Sequence, residues 1–330
     1  MTARDIELSV IIPVFNEGPN IGPLCDRVVP VLERAAPSWE IVFVDDGSED
    51  ETLAAIRARN ALEPRIGAVS FSRNFGKEIA IAAGLDHARG RAVVIMDADL
   101  QHPPEMIETF VQRWREGYMM VYGQRTDREG EGPIKRSLTH LFYRLFARFG
   151  ETPLPEGAGD FRLIDRKGVE VLRMLGERAR FSKGLYAWIG FKATGVPFEV
   201  AERRYGTTKW SFRKLFRFAF DGITAFSTVP LRVWTYIGGL VSCCAIATAL
   251  FFIVRTLLFG TDLPGFPSLI VSVMFFSGIQ LMSLGIIGEY IGRIFAEVKR
   301  RPLYVVGDRV GGPADASQAL IRDDRNPPRA

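Results

Sequence analysis

The chain has 330 residues, with 42 Lys and Arg against 38 Asp and Glu, for a formal net charge of +4. With 47% hydrophobic residues, 24% charged ones and a mean hydropathy of +0.08, it is neither disordered nor collagen-like. Its three cysteines, Cys25 alone and Cys243 beside Cys244 in an apolar run, exclude a disulfide scaffold and a zinc pattern, and its three histidines share no metal-ligand spacing.

The hydrophobic residues are unevenly spread. Residues 1–231 carry charges throughout and read as globular, whereas Trp234–Val254 and Phe266–Gly288 carry none. Each of these spans reaches the roughly 20 residues needed to cross a hydrocarbon core of about 30 Å, so a fully soluble protein is not expected. At the other end, Asp5 and Glu7 precede a short apolar run that closes at Asn16-Glu17. That does not read as a secretory signal, and the globular part is expected to stay in the cytosol.

Four runs are short, β-branched and almost continuously apolar: Leu8–Val14, Glu40–Val44, Ile66–Phe71 and Ala92–Met96. Such runs suit strands buried on both faces of a parallel sheet. Between and after them, Asn20–Ala35, Glu51–Ala61, Lys77–Ala88 and Pro104–Glu116 have helical spacing, which predicts a doubly wound α/β domain with ligands at the carboxyl ends of its strands. Two basic amphipathic helices are expected near 134–149 and 211–228. Both are rich in Phe and Leu, and they suit either the membrane interface or packing on the sheet or a partner subunit.

Lys and Arg flank the two spans on their outer sides. Arg203, Arg204, Lys209, Arg213, Lys214, Arg217 and Arg232 precede the first; Arg293, Lys299, Arg300 and Arg301 follow the second. The connection between them offers only Arg255, against Asp262. By the positive-inside rule, 232–292 is a transmembrane hairpin with both termini cytosolic. Residues 293–330 form a cytosolic tail, expected to be disordered after Val306. Gly238, Gly239, Gly278 and Gly285 would permit close helix packing and a homo-oligomer.

The strand ends carry the chemistry. Asp97-Ala-Asp99 leaves the fourth strand with two carboxylates that can hold a hard divalent cation and substrate phosphates, extended by Gln101 and His102. The same pattern also suits an Asx turn capping the next helix. Pro13-Val-Phe-Asn-Glu17 and Asp45-Asp46-Gly47-Ser48 end the first two strands in acceptor-rich turns. Ser72–Lys77 places Arg73, Lys77 and a glycine-relieved turn at a helix start, where anions bind readily. Neither G-x-G-x-x-G nor G-x-x-x-x-G-K-[ST] is present, which argues against NAD and P-loop chemistry.

IPVFNE, VDDGSED, SRNFGKE and DADLQHPPE, in this order and spacing, resemble the polyprenol-phosphate branch of glycosyltransferase family 2 (dolichol-phosphate mannose synthase-like and bactoprenol glucosyltransferase-like proteins). The resemblance continues through Gly159–Asp165, Arg204–Lys209 and the two spans, and covers about residues 6–306. It implies a GT-A fold with a mostly parallel sheet, a nucleoside-diphosphate sugar donor, Mg²⁺ or Mn²⁺, an undecaprenyl (polyprenyl) phosphate acceptor and inversion at the anomeric carbon. Carried over, Pro13, Phe15, Glu17, Asp46 and Lys77 belong to the donor site, and Asp97, Asp99 and Gln101 hold the metal and diphosphate. Asp99, Arg125, Arg204 and Lys209 form the catalytic set, with Asp160 and Arg162 on the acceptor side. UDP-glucose is the first choice of donor; GDP-mannose, UDP-N-acetylhexosamine and a UDP-aminoarabinose derivative are the others. Partners would be membrane lipids and a flippase, with no nucleic acid. For Arg204 and Lys209 an anionic-lipid anchor is the competing role. A processive polysaccharide synthase would need Gln-x-x-Arg-Trp after the catalytic domain, and Gln112-Arg113-Trp114 has the wrong spacing. A non-catalytic membrane scaffold is opposed by the intact acidic and basic residues.

Overall fold

The computed structural model describes residues 6–125, 158–177, 182–198, 229–259 and 265–311. The two expected amphipathic helices, Arg204 and Lys209 lie outside the described residues. The chain divides into two compact units, one of Met1–Ala219 with Arg300–Ala330 and one of Phe220–Lys299.

In the first unit, the four apolar runs form β1 (Leu8–Val14), β2 (Trp39–Asp45), β3 (Ile66–Phe71) and β4 (Ala92–Ile95). They pair in parallel in the order β4-β1-β2-β3. Helices α1 (Gly18–Ala35), α2 (Thr52–Leu62), α3 (Lys77–His87) and α4 (Met106–Arg115) connect them or follow them. Helix α1 turns Ile21, Leu24, Val28, Val31 and Leu32 inward at helical spacing, all at most 2% exposed, against strand residues such as Val10, Ile12 and Phe43. One charged residue of β2 is also buried. Glu40 accepts from the Ser9 hydroxyl at 2.7 Å and from the Arg89 backbone amide at 2.8 Å, and it pairs with the Arg89 guanidinium. Its charge is thus matched rather than stranded.

The sheet is mostly parallel, as expected, with two strands reversed. β5 (Met120–Arg125), β6 (Ala158–Asp165) and β7 (Ala193–Phe198) extend it beyond β4, and β8 (Val306–Val310) closes the other side, giving β7-β5-β6-β4-β1-β2-β3-β8 among the described residues. β5 and β7 also pair in parallel, whereas β6 runs antiparallel to both β4 and β5, and β8 antiparallel to β3. Helices α5 (Arg166–Met174) and α6 (Ser182–Trp188) follow β6. β8 corrects the expectation of a disordered tail after Val306. Val306 and Val310 are 4% and 7% exposed, so a short polar segment gains two apolar anchors and the open hydrogen-bonding edge of β3.

The second unit holds α7 (Val229–Phe259) and α8 (Phe266–Val298). Among the described residues one stretch, Ser272–Val298, is long and apolar enough to cross a membrane, with mean hydropathy 1.3. Tyr236–Thr248 in α7 is apolar but shorter. Leu250, Phe251, Leu281 and Phe295 are each more than half exposed.

Helix α3 approaches β1 closely because Gly84 faces Ile11; a Cβ at Gly84 would lie 2.1 Å from Ile11 Cγ2. Alanine at a helix interior is worth about 1 kcal/mol over glycine. Overpacking against a fully buried isoleucine costs about 1–3 kcal/mol and reverses the sign. Gly84→Ala is therefore expected to lower the midpoint of chemical denaturation.

Candidate active site

The parallel register brings four loops to one edge of the sheet. Val14 stands opposite Asp45 and Asp45 opposite Ser70, so the residues after β1, β2 and β3 emerge side by side, with those after β4 next to β1. Between them lies a cleft of about 350 Å³. Of the residues expected at the donor site, Pro13, Phe15, Glu17, Asp46, Lys77, Asp97 and Asp99 line it, together with Gly76 of the expected glycine-relieved turn and with Asn74, which no sequence pattern marks.

The first two loops lock each other. The Asn16 amide donates to Ser48 Oγ at 2.9 Å, the Glu49 amide donates to Asn16 Oδ1 at 2.9 Å, and the Glu17 amide donates to Thr52 Oγ1 at 2.9 Å. Asn16 holds φ 56° to do so, a left-handed conformation that asparagine tolerates. Phe15 is left 37% exposed at the rim, an aromatic face open to a planar ligand.

Asp46 has a structural duty besides its expected place at the donor site. Its carboxylate accepts from the Phe75 amide at 2.6 Å and from the Gly76 amide at 3.1 and 2.9 Å, fastening the turn that starts α3. Burial pushes its carboxyl above the usual carboxylate range, against the pull of those two amides. Asp45 beneath it accepts from the Ser48 amide at 3.0 Å and the Ser70 hydroxyl at 2.6 Å. Gly47 adopts φ 71°, and a Cβ there would lie 2.5 Å from the carbonyl carbon of Arg73. Only glycine lets the two turns approach so closely.

On the opposite wall, Lys77 Nζ lies 2.6 Å from Asp97 Oδ1 and 3.0 Å from Asp160 Oδ2. Asp160 gets there through the antiparallel pairing: continuing the β4–β6 register past Ile95 and Arg162 brings Asp160 opposite Asp97. Burial works against the charge on both Lys77 and Asp160. Their mutual attraction, with Asp97 acting on the lysine, outweighs it and holds the ammonium far above and the carboxyl well below their usual ranges. Next to Lys77, Glu78 is pushed upward by burial and accepts from the Ser182 amide at 3.1 Å and from the Ser182 hydroxyl.

Three expected members take other places. Gln101 is absent from the cleft lining, and its backbone amide donates to Asp99 Oδ1 at 3.1 Å, the turn geometry that D-x-D also allowed. His102 stacks on Phe161 at 4.9 Å and meets Phe198 edge-on; burial lowers its pKa and favours the neutral ring. Arg162 is 3% exposed, lies over the Tyr186 ring at 3.8 Å and donates to the Gly159 carbonyl, so it belongs to the core rather than to an acceptor surface. Arg125 ends β5.

Among the described residues no three His, Cys, Asp or Glu side chains gather as a metal cage. A hard divalent cation does not require one, because Mg²⁺ is commonly held by one or two carboxylates with substrate phosphates and waters. Asp97 and Asp99 in an open cleft fit that description, and Lys77 adds a fixed cation beside them. The arrangement can hold a polyanion, with or without its metal.

The family model for "Glycosyl transferase family 2" matches residues 9–173, from β1 into α5. The chain is 48% identical over 306 residues to a glycosyltransferase of Synechocystis sp., covering 93% of this chain and 96% of that one. It is 43% identical over 311 residues to the glycosyltransferase YkcC of Bacillus subtilis, covering 94% and 96%. Against the SfII prophage-derived bactoprenol glucosyl transferase of Shigella flexneri it is 43% identical over 302 residues, covering 91% and 97%.

Two outcomes are expected from the site's packing. Gly47→Ala combines a left-handed backbone with a main-chain clash, and a loss of about 2–4 kcal/mol in unfolding free energy is expected. Lys77→Met leaves Asp160 without its lysine partner. Breaking a buried pair costs about 3–5 kcal/mol, and with 43% of the lysine side chain exposed about 1–2 kcal/mol is expected. A carboxyl whose folded pKa is depressed stabilises above its unfolded pKa near 3.9 and loses that contribution as pH falls through its folded value. The stability gap between wild type and Asp160→Asn should accordingly hold between pH 7 and pH 5 and begin to shrink at pH 3.

Proposed function

We propose that this chain, which belongs to glycosyl transferase family 2 and is a glycosyltransferase, transfers a sugar from a nucleoside diphosphate to a polyprenyl phosphate at the cytosolic face of a membrane. The observation that carries the reading is the convergence of Asp97, Asp99 and Lys77 at the carboxyl ends of the parallel strands, in one cleft with Phe15 and Glu17. The names of the relatives favour glucose and a bactoprenol-type acceptor, and UDP-glucose is the donor we assign. Both apolar helices cross the membrane in this reading, with the GT-A domain and both termini in the cytosol.

The chemistry follows from charge. Displacement of a nucleoside diphosphate from an anomeric carbon builds negative charge on the leaving oxygen. A Mg²⁺ or Mn²⁺ ion held by Asp97 and Asp99 would neutralise that charge without proton transfer. Lys77 contributes a second positive charge to the same diphosphate, released from Asp97 as the donor enters. Pro13, Phe15 and Glu17 receive the nucleoside end. The attacking group is a phosphate monoester with a second pKa near 6, ionised at pH 7, so no general base is needed. The remaining task is to bring two anions to one carbon, which we assign to Arg125, Arg204 and Lys209. Attack from the face opposite the leaving group inverts the anomeric configuration.

Purified full-length protein in detergent, incubated with undecaprenyl phosphate and a panel of labelled nucleotide sugars in Mg²⁺, Mn²⁺ or EDTA, tests this by label recovered in the lipid phase. UDP-glucose is expected to label lipid only with metal. Asp99→Asn is expected to reduce transfer by about 10²–10³-fold, as for loss of one transition-state stabilising group. Undiminished transfer in EDTA and in Asp99→Asn would remove the assigned mechanism, and transfer from a different donor would replace the sugar.

A further inference from the structure

The last described strand of the first unit comes from residues that follow α8 in sequence, and it packs beside the loop that forms one wall of the cleft. Leu303 and Tyr304 are 5% and 3% exposed. The Tyr304 ring stacks on Phe71 at 5.0 Å with an interplanar angle of 23°, and its hydroxyl donates to Asp86 Oδ2 at 3.1 Å. Phe71 meets Phe75 edge-on at 5.6 Å. The Ser72 amide donates to the Val305 carbonyl at 2.9 Å. A register shift between Ser70 and Phe71 brings Gly307 so near that a Cβ would lie 3.2 Å from Ser72 Cα.

The loop from Ser72 to Lys77 is therefore gripped from two sides. Asp46 holds Phe75 and Gly76 from within the sheet edge, and Leu303–Gly307 holds Phe71 and Ser72 from outside. Covering the β3 edge against wrong pairing would require only the backbone ladder of β8. Tyr304 precedes that ladder and spends its side chain on Phe71 and on Asp86 of α3, the two elements between which the loop is strung.

We propose that Leu303–Val310 is a positioning element of the donor cleft, with Tyr304 as its main positioning residue, acting through Phe71 and Ser72 on the Ser72–Lys77 loop. Tyr304 lines no part of the cleft; its effect is to fix where Asn74, Gly76 and Lys77 stand when a nucleoside diphosphate enters. The proposal rests on the glycosyltransferase reading only for the identity of that ligand.

The test compares full-length wild type, Tyr304→Ala, Tyr304→Phe and Gly307→Val in detergent, by hydrogen exchange of the loop amides and by calorimetric binding of UDP and GDP. Tyr304→Ala is expected to speed exchange of the Ser72–Lys77 amides about tenfold while β1 and β2 keep their protection, since local opening is separable from global unfolding. It should also weaken nucleotide binding several-fold per folded molecule. Tyr304→Phe, which keeps the stacked ring, should restore both to near wild type. Gly307→Val should resemble Tyr304→Ala, and it decides the matter by the same readouts if the alanine variant does not fold. Wild-type loop exchange and affinity in folded Tyr304→Ala would overturn the proposal, as would a uniform loss of protection with unchanged affinity. If wild type binds neither UDP nor GDP, the ligand reading falls, and the exchange data still decide whether the segment holds the loop.

Discussion

The carboxylate of Asp46 ties the end of β2 to the start of α3, and much of the cleft depends on that tie. By accepting from Phe75 and Gly76 it fixes the turn from which α3 departs, and thereby the root of Lys77. Gly47 makes the approach sterically possible, and Asp45, buried below, is satisfied by Ser48 and Ser70. Without these contacts the four parallel strands would still align, but the Ser72–Lys77 loop would have no defined position. An acid that looks from sequence like a ligand contact thus serves first as internal scaffolding, and it meets the cleft only with what remains.

Positive charge in the cleft is organised around the acids rather than apart from them. Lys77 lies between Asp97 and Asp160, which come from two strands paired in opposite directions. That geometry keeps three charged groups together in a partly dehydrated space before any ligand arrives. Electrostatic work that a binding site would otherwise do on encountering a diphosphate is already done in folding, and this is what preorganisation means for a charged reaction.

The sequence was most legible where one physical cause dominates. The central strands are continuous β-branched runs because both faces are buried, and α1 and α4 follow from a single buried stripe, so these elements stand within a residue or two of their expected limits. D-A-D at the end of β4 was readable because two acids leaving a buried strand need a reason. Less legible were features produced by distant partners. β8 has two inward valines and otherwise reads as tail; only the open edge of β3 makes it a strand. Arg162 and His102 carry polar groups that suggested the site, yet stacking on Tyr186 and Phe161 takes them into the interior, and no local pattern announces such a partner.

The origin of β8 also bears on how the chain is made. During synthesis the β3 edge is complete long before Val306 leaves the ribosome, and at about 5–20 residues per second the intervening chain occupies on the order of ten seconds or more. Through that interval the sheet presents an unpaired strand, while α7 and α8 are still being produced. Pairing of the β3 edge with β8 accordingly comes after α7 and α8 have been synthesised. A transcript cut short anywhere before the codon for Val306 would release a domain with an adhesive edge, a natural substrate for chaperones and proteases rather than a dormant enzyme.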